Sequence, residues 1–560
     1  MFQTKYSQRF QNLVCGLALT LVCTTATAGK LSHKAAAMVN NSDELVEVIV
    51  VYKQKPDSKS KSKLDKDGGK VAKGFKSLPM QVIRVPANKL KALAKRADIQ
   101  AISTNSKVKG LSEAARLTAG IPLSGEATWM PDLSYDVGVA IVDSGVFKSG
   151  DLNIAHSLDC RSAEIAVSGC AENAGLLDAF GHGTHVAGIV AGTGLNSNVG
   201  NGVNTVGRFA GVARNAQVTS LRVLGDDGQG NVADVIAAID WLLENGSFHN
   251  IRVVNLSLGK SIDESNLTDP LILAVEALWD AGFVVVASAG NYGRDGNFTI
   301  TSPGNSRKVI TVGSVTDSGT GTNYSDDYIS TYSSQGPTLI DHVLKPDLVA
   351  PGNRYISTTA KDSYLESELG AVPGYKKYLE LSGTSMAAGM VSGAVVLMLS
   401  QDPTLSPATV KARLMRSARK IPGNATATGA GVLDVHAALA DTGHMTTEAL
   451  SPIMERSLTG NVILMEDTAQ LWNGQEWAAG YLWADGYLWA DSFMAADGYL
   501  WADGYLWADG YLWADGYLWA DGYLWADGYL WADGYLWADA VPDTDPLYDN
   551  TSGQTVVAHD

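Results

Sequence analysis

Three separated stretches carry residue types that could act together on an electrophile. The run "LSGTSMAAGMVSGAVVLMLS" (381–400) reads as a buried helix that opens with Gly383, Thr384 and Ser385. Small polar residues at that position cap free N–H groups. The same position also holds a hydroxyl in the positive field of the helix dipole, where it can serve as a nucleophile. A hydroxyl at neutral pH needs a base within hydrogen-bond reach, usually His oriented by a carboxylate. "FGHGTHVAGIVAG" (180–192) offers His182 and His185, which spacing alone does not separate, and "AIVDSGV" offers Asp143, with Asp178 and Asp347 as rival carboxylates.

These residues need a scaffold that brings them to one place. "GVAIVD" (138–143), "QVTSLRVL" (217–224), "IRVVNLSLG" (251–259), "FVVVASAGN" (283–291) and "KVITVGSV" (308–315) read as strands buried on both faces. "NVADVIAAIDWLLENG" and "DPLILAVEALWDAG", lying between them, have helical spacing and closing glycines at Gly246 and Gly282. The alternation predicts an α/β fold, a mostly parallel sheet flanked by helices. Ligands of such sheets bind at the carboxyl ends of the strands, where Asp143, Ser257 to Gly259 and Asn291 fall.

At 560 residues the chain is too long for one core. Lys5 and Arg9, the apolar "LVCGLALTLVC" and Ala26-Thr27-Ala28 form an export leader over residues 1–28. Val22 before Cys23 is bulkier than lipoprotein sites use, so the expected localisation is secreted: extracellular, periplasmic or at the cell surface. No other stretch is expected to span a bilayer. Cys15 and Cys23 leave with the leader, and Cys160 and Cys170 remain as a disulfide candidate. Residues 29–110 hold 18 Lys and Arg against 7 Asp and Glu, whereas residues 111–560 hold 22 against 52. Such an acidic surface argues against nucleic acid as a partner and suggests that the basic segment meets the acidic one. The basic segment reads as a small α+β unit: strand "LVEVIVVYKQKP", a Lys/Ser-rich break, strand "MQVIRV", helix "PANKLKALAKRA" and strand "IQAIS".

From Gly480 to Asp539 run ten hexads, nine "GYLWAD" and one "SFMAAD". Six residues fit the two-residue strand period, with Asp-Gly as a turn, so a stacked β array is expected. Alternation puts Tyr, Trp and Asp on one face. That face could stack on sugar rings, the array could equally be a packed structural stack or self-associate at an edge, and the Asp ladder could hold cations.

"VDSG", "GHGTHVAG" and "GTSMA", in the order Asp, His, Ser, resemble the active-site motifs of the subtilisin-like serine proteases. The resemblance covers roughly residues 130–440. It implies a serine endopeptidase acting on polypeptides through an acyl-enzyme, with Ser385 as nucleophile, His182 as general base and acid, and Asp143 fixing the tautomer. His185 and Asp347 become structural. "ASAGN" implies Asn291 as an oxyanion donor. "SLG" (Ser257, Leu258, Gly259) and "GDDGQG" (with Gly228 and Gly230) resemble the segments that flank the bound peptide. The basic segment resembles an inhibitor-type propeptide, which makes the protein its own partner as a zymogen that self-cleaves between about residues 105 and 120. No catalytic cofactor is implied. The family often carries structural calcium, but "NSNVGNGVNTVG" assigns no ligands to it. Gly389 stands where the family usually has Pro, a departure that bears on stability, at about 1 kcal/mol of helix propensity relative to Ala.

The expected organisation is leader 1–28, propeptide 29–112, catalytic domain 113–445, linker 446–479, hexads 480–539 and acidic tail 540–560. The competing reading is a surface adhesion or structural protein carrying an inactive protease fold. The presence of all three reacting groups and Asn291 speaks against it.

Overall fold

The computed structural model describes residues 30–39, 43–66, 68–105, 107–110, 137–161, 170–172, 177–197, 209–317, 326–419, 421, 424–456, 462–465 and the strands between 481 and 540. The leader expected at 1–28 and the acidic tail after 540 lie outside these residues.

The basic segment forms β1 (Leu45–Tyr52), α1 (Ser58–Lys66), β2 (Lys70–Gly74), β3 (Met80–Pro86), α2 (Leu90–Ala94) and β4 (Ile99–Thr104). Its antiparallel sheet has the order β2-β3-β1-β4. The Lys/Ser-rich stretch is helix α1 and not a break. Asp57 caps it by accepting from Ser60 N at 2.8 Å, and Leu64 anchors it in the cluster of Val50, Ile83 and Leu90. Ile49, Val51, Leu78 and Met80 on the sheet's other face join the apolar core of the larger unit. β5 (Lys107–Gly110) then leaves this sheet for the larger unit.

The larger unit contains β6 (Gly138–Asp143), β7 (Asn153–Asp159), β8 (Ala171–Glu172), α3 (His182–Ala191), β9 (Gln217–Arg222), β10 (Gln229–Asn231), α4 (Val232–Asn245), β11 (Ile251–Leu256), β12 (Leu258–Gly259), α5 (Pro270–Asp280), β13 (Val284–Ser288) and β14 (Ile310–Thr316). It continues through β15 (Tyr328–Ile329), β16 (Leu348–Pro351), β17 (Tyr355–Thr358), β18 (Tyr378–Leu381), α6 (Thr384–Gln401) and α7 (Pro407–Arg416). The main sheet runs β15-β14-β13-β11-β6-β9-β7-β8, with β16 also beside β14. All its pairings are parallel except those of β8 and β15. Strand order reverses at β6, so the carboxyl end of β6, occupied by Asp143, lies at the switch point. Gly282 ends α5 at φ +94°, as a closing glycine should. Gly246 stays right-handed, and the reason for glycine there is space, because a Cβ would stand 2.7 Å from the Phe283 ring.

Helix α6 is apolar all round and packs against α3, β11, β13 and β14, with only its last two residues reaching partial exposure. Among the described residues it is the one helix long and apolar enough to cross a membrane, and here it is the core of the protein. Cys160 and Cys170 are joined as a disulfide. The stretch from residue 446, expected to be linker, instead runs along the larger unit as far as residue 456. Met445 and Ala449 pack on Ala408 and Ala412, and the Ser451 hydroxyl donates to Asp347. An extended strap held by scattered contacts, among them the backbone bonds from Leu344 N to Pro452 O and from Met454 N to His342 O, has no period to read.

Beyond it, β19 (Ile453–Arg456) and β20 (Val462–Met465) pair antiparallel. The hexads form β21 (Tyr481–Ala484), β22 (Tyr487–Ala490), β23 (Phe493–Ala496), β24 (Tyr499–Ala502), β25 (Tyr505–Ala508), β26 (Tyr511–Ala514), β27 (Leu518–Ala526), β28 (Leu530–Ala532) and β29 (Leu536–Ala540). They pair parallel and three hexads apart: Tyr481 with Tyr499, Tyr487 with Tyr505, Phe493 with Tyr511. In register, Tyr is opposite Tyr, Leu opposite Leu and Trp opposite Trp.

Candidate active site

Asp143 ends β6 and His182 begins α3, and glycines let the two approach. A Cβ on Gly183 would stand 2.2 Å from the Gly145 carbonyl oxygen and 3.0 Å from the Asp143 Cβ. The result is a hydrogen bond from His182 Nδ1 to Asp143 Oδ1 at 2.7 Å, with Oδ2 at 2.9 Å, both residues fully buried. Burial by itself would hold the imidazole neutral, but the Asp143 carboxylate outweighs it and raises the His182 pKa above its ordinary value. With Nδ1 committed, Nε2 is buried without a hydrogen-bond partner.

His185, three residues on, faces the core. Its Nε2 lies 3.0 Å from the Leu379 carbonyl oxygen and burial pushes its pKa down to about 3. Of the two histidines, His182 is the one beside a carboxylate. Asp347 is also spoken for. Its carboxylate is buried between Lys345 Nζ at 2.7 Å and Lys411 Nζ at 3.2 Å, and these cations hold it below the usual carboxylate range against the opposing effect of burial. Asp178 accepts hydrogen bonds from Ser144, Gly181 and Thr184.

Ser385 is the second residue of α6. Its Oγ donates to the Ser257 carbonyl oxygen at 3.3 Å, while Ser257 Oγ donates to the Ser385 carbonyl oxygen at 3.0 Å. Asn255 donates to Ser257 Oγ and accepts from Ser392 Oγ, both at 2.9 Å, so buried polar bonds run from the end of β11 into α6. Asn291 follows β13 at the same end of the sheet. Its Oδ1 accepts from Thr384 N at 3.0 Å and Thr384 Oγ1 at 3.1 Å, and its Nδ2 is buried without a partner. A buried donor with nothing to donate to costs free energy unless something arrives there.

β5 lies between β10 and β12, antiparallel to both. Lys109 is opposite Gln229 and Gly259, Val108 opposite Gly230 and Gly110 opposite Leu258. Gly230, Leu258 and Gly259 thus belong to two strand edges that receive a third strand, and Gly228 lies in the turn just before β10. Gly228 sits at φ +72°, where a Cβ would also stand 2.5 Å from the Phe180 ring.

The described residues assign no calcium ligands. Of "NSNVGNGVNTVG" only Asn196 and Ser197 are described, and the neighbouring acid, Asp151, is already occupied by Thr193 Oγ1, Asn196 N and the Tyr378 hydroxyl. Among the described residues no three His, Cys, Asp or Glu gather.

Residues 134–432 match the subtilase family (Peptidase_S8). The serine protease AprX of Bacillus subtilis is 33% identical over 293 residues, 51% of this chain and 61% of AprX; the chain thus spans under two thirds of that relative's length. Subtilisin E of Bacillus subtilis is 30% identical over 433 residues, covering 75% of this chain and 96% of subtilisin E. Among solved structures, fervidolysin of Fervidobacterium pennivorans, a keratinolytic enzyme related to subtilisin, shares the fold with a TM-score of 0.54 at 23% identity, over 72% of this chain and 62% of that one. A mixed sheet switching at β6, an Asp–His pair at the switch and a serine opening the core helix agree with these likenesses, and the chain belongs to the subtilase family of subtilisin-like serine proteases.

Proposed function

We propose that this serine endopeptidase works through Asp143, His182 and Ser385 and is made as a self-inhibited, self-processed, exported precursor. The observation that carries the reading is a His182 whose Nδ1 is committed to Asp143 and whose Nε2 has no hydrogen-bond partner, together with a buried Asn291 Nδ2 that also lacks one. Ser385 Oγ attacks the scissile carbonyl carbon as His182 Nε2 takes its proton, and Asp143 stabilises the imidazolium that forms. The oxyanion receives hydrogen bonds from Asn291 Nδ2 and the backbone N–H of Ser385. His182 then protonates the leaving amine, and water enters by the reverse sequence to hydrolyse the acyl-enzyme. Substrate binds extended between β10 and β12, reading backbone by sheet pairing.

The propeptide reading is supported by β5, a piece of the basic segment seated where such a strand would bind, and by contacts that tie the segment down. Asp240 accepts from Lys76 N and Ser77 N, Lys73 pairs with Asp234, and Lys34 pairs with Asp263. The similarity to subtilisin E also extends over 433 residues, more than the stretch 134–432 alone. Export is supported by the leader pattern and the disulfide.

Intact mass and N-terminal sequencing of the full chain and its Ser385→Ala variant, after identical incubation, test the reading. The wild type is expected to acquire a new N-terminus within a few residues of Gly110, and the variant to keep its own. If both stay uncleaved while compact, the triad assignment is wrong and the adhesion reading gains.

The hexad tract serves as a contact surface for polysaccharide or cells, supported by in-register ladders that repeat one aromatic pattern. A chain ending before Gly480 that binds chitin or cellulose particles and cells as well as the full chain does would remove this part.

A further inference from the structure

We infer that Asp178 is a positioning residue: it locks the segment carrying Asp143 to the segment carrying His182 and supplies a second anion to the imidazolium formed in turnover. The inference rests on the triad reading above.

Asp178 is buried at 3% exposure. Its Oδ1 accepts from Ser144 Oγ at 2.8 Å and Gly181 N at 2.7 Å, and its Oδ2 accepts from Thr184 N at 2.8 Å and Thr184 Oγ1 at 2.6 Å. Two of these donors pass the restraint on. Ser144 Oγ accepts from Gly183 N at 3.0 Å, and Ser144 N donates to Asp143 Oδ1 at 2.7 Å. Thr184 Oγ1 accepts from Phe147 N at 2.8 Å. Residues 143–147 and 181–184 are therefore stitched through a single carboxylate, on both sides of the Asp143–His182 hydrogen bond.

A helix cap alone would not demand this residue. Asn or Ser caps well with one oxygen, whereas here four N–H and O–H donors converge on two oxygens. Asn would turn its NH2 toward two of those donors and leave them buried and unpaired. Burying a carboxylate is costly, and burial raises the Asp178 pKa, offset by its four donors and by the N-terminus of α3. The charge also reaches the reaction. The groups bearing on His182 are Asp143 at 2.7 Å, the uncharged His185, the Phe180 ring with its centroid at 6.4 Å, and Asp178, whose charge raises the His182 pKa together with that of Asp143.

The test uses the full-length protein, Asp178→Asn, Ser144→Ala and, as a control, His182→Ala. kcat/KM is measured across pH on a quenched-fluorescent peptide with the sequence of residues 105–114. Asp178→Asn is expected to lose about tenfold or more in kcat/KM, and its acid limb to move to lower pH by roughly half a unit, because an anion that favours protonated His182 is gone. Ser144→Ala keeps the anion and loses one stitch, so kcat falls several-fold with KM and the acid limb in place. A folded Asp178→Asn with the wild-type acid limb overturns the inference, as does a Ser144→Ala with wild-type kcat. The second arm decides should Asp178→Asn not fold. If His182→Ala remains active, the triad reading itself has failed, an outcome distinct from either.

Discussion

Asn291 turns its carbonyl oxygen to the backbone N–H of Thr384 at 3.0 Å, which leaves Nδ2 facing inward without a partner beside the residue that precedes Ser385. The Thr384 hydroxyl, at 3.1 Å from Oδ1 and accepting from Gly290 N at 3.2 Å, fixes the same amide orientation. An amide held this way before substrate arrives needs no reorganisation when charge develops. Asn291→Leu should lower kcat with little change in KM; the loss known for the corresponding asparagine of subtilisin is about a hundred- to a thousandfold. Thr384→Val, which frees the amide to rotate, should lower kcat less. Steady-state kinetics on the peptide of residues 105–114 separates the two, and an unchanged kcat in Asn291→Leu would exclude it from the oxyanion site.

Release of the basic segment should depend on pH through Glu264. Its carboxyl is buried against Ser103 Oγ of the basic N-terminal segment at 2.6 Å. Nearby Asp263 and Asp269 share Lys260, with Lys34 also on Asp263. Burial, followed by the Asp269 charge, pushes the Glu264 pKa up to about 8. Once the segment leaves and water returns, the group should go back toward its ordinary value of about 4.5. The bound state therefore holds the extra proton between these values. Its contribution to binding is complete below about pH 4.5 and is lost as pH rises to about 8, at up to about tenfold in affinity per unit. The lag before activity appears in the precursor should shorten across that window. Glu264→Gln, which keeps the hydrogen bond and cannot ionise, should hold the lag long and flat, and a wild-type pH response in that variant would exclude Glu264 as the sensor.

Asp347 is the single anion between two buried lysines, and Lys345 is pushed down to about 7 by burial and by the charge of Lys411 despite the bridge. Removing Asp347 leaves two buried cations and frees the Ser451 hydroxyl that ties down the strap beyond α7. Asp347→Ala should cost about 3–5 kcal/mol, the range for breaking a buried pair from one side. Urea unfolding in a Ser385→Ala background, where autolysis is absent, measures this, and a loss below about 1 kcal/mol would mean the lysines find other partners.

The parallel sheet and the closeness of Asp143 to His182 were legible because buried strands read as apolar runs and because both residues sit in glycine-rich motifs that close approach requires. Gly183 against Gly145 is one such contact. What escaped was whatever depends on partners distant in sequence. β7 (Asn153–Asp159) reads as polar because half of it stays near solvent beside β8. The strap to residue 456 is held by Ser451 on Asp347, about a hundred positions away. Asp178 looked like a rival to Asp143, since sequence alone does not show that four donors already fill its oxygens. The hexads read as strands, but the pairing of each with the third one on is not written in units that are nearly identical.

Gly389 and Gly393 lie one turn apart on α6, and their surroundings predict opposite responses to a methyl group. Built at Gly389, a Cβ meets Ile189 and Val186 at 3.4 to 3.5 Å, ordinary contact across the α3–α6 crossing. The helix there is regular, so Gly389→Ala should gain about 0.5–1 kcal/mol by reducing unfolded-state entropy and restoring helix propensity. At Gly393 the same Cβ would stand 2.6 Å from Val212 Cβ, and nothing rigid on that side can yield cheaply. Gly393→Ala should therefore lose about 1–3 kcal/mol through overpacking. Thermal unfolding of both variants, again with Ser385→Ala, reads the difference. Equal shifts would mean that α6 slides relative to α3 to absorb the methyl. A rigid seat for Ser385 requires unequal ones, because the nucleophile of the proposed mechanism is carried on the first turn of this helix.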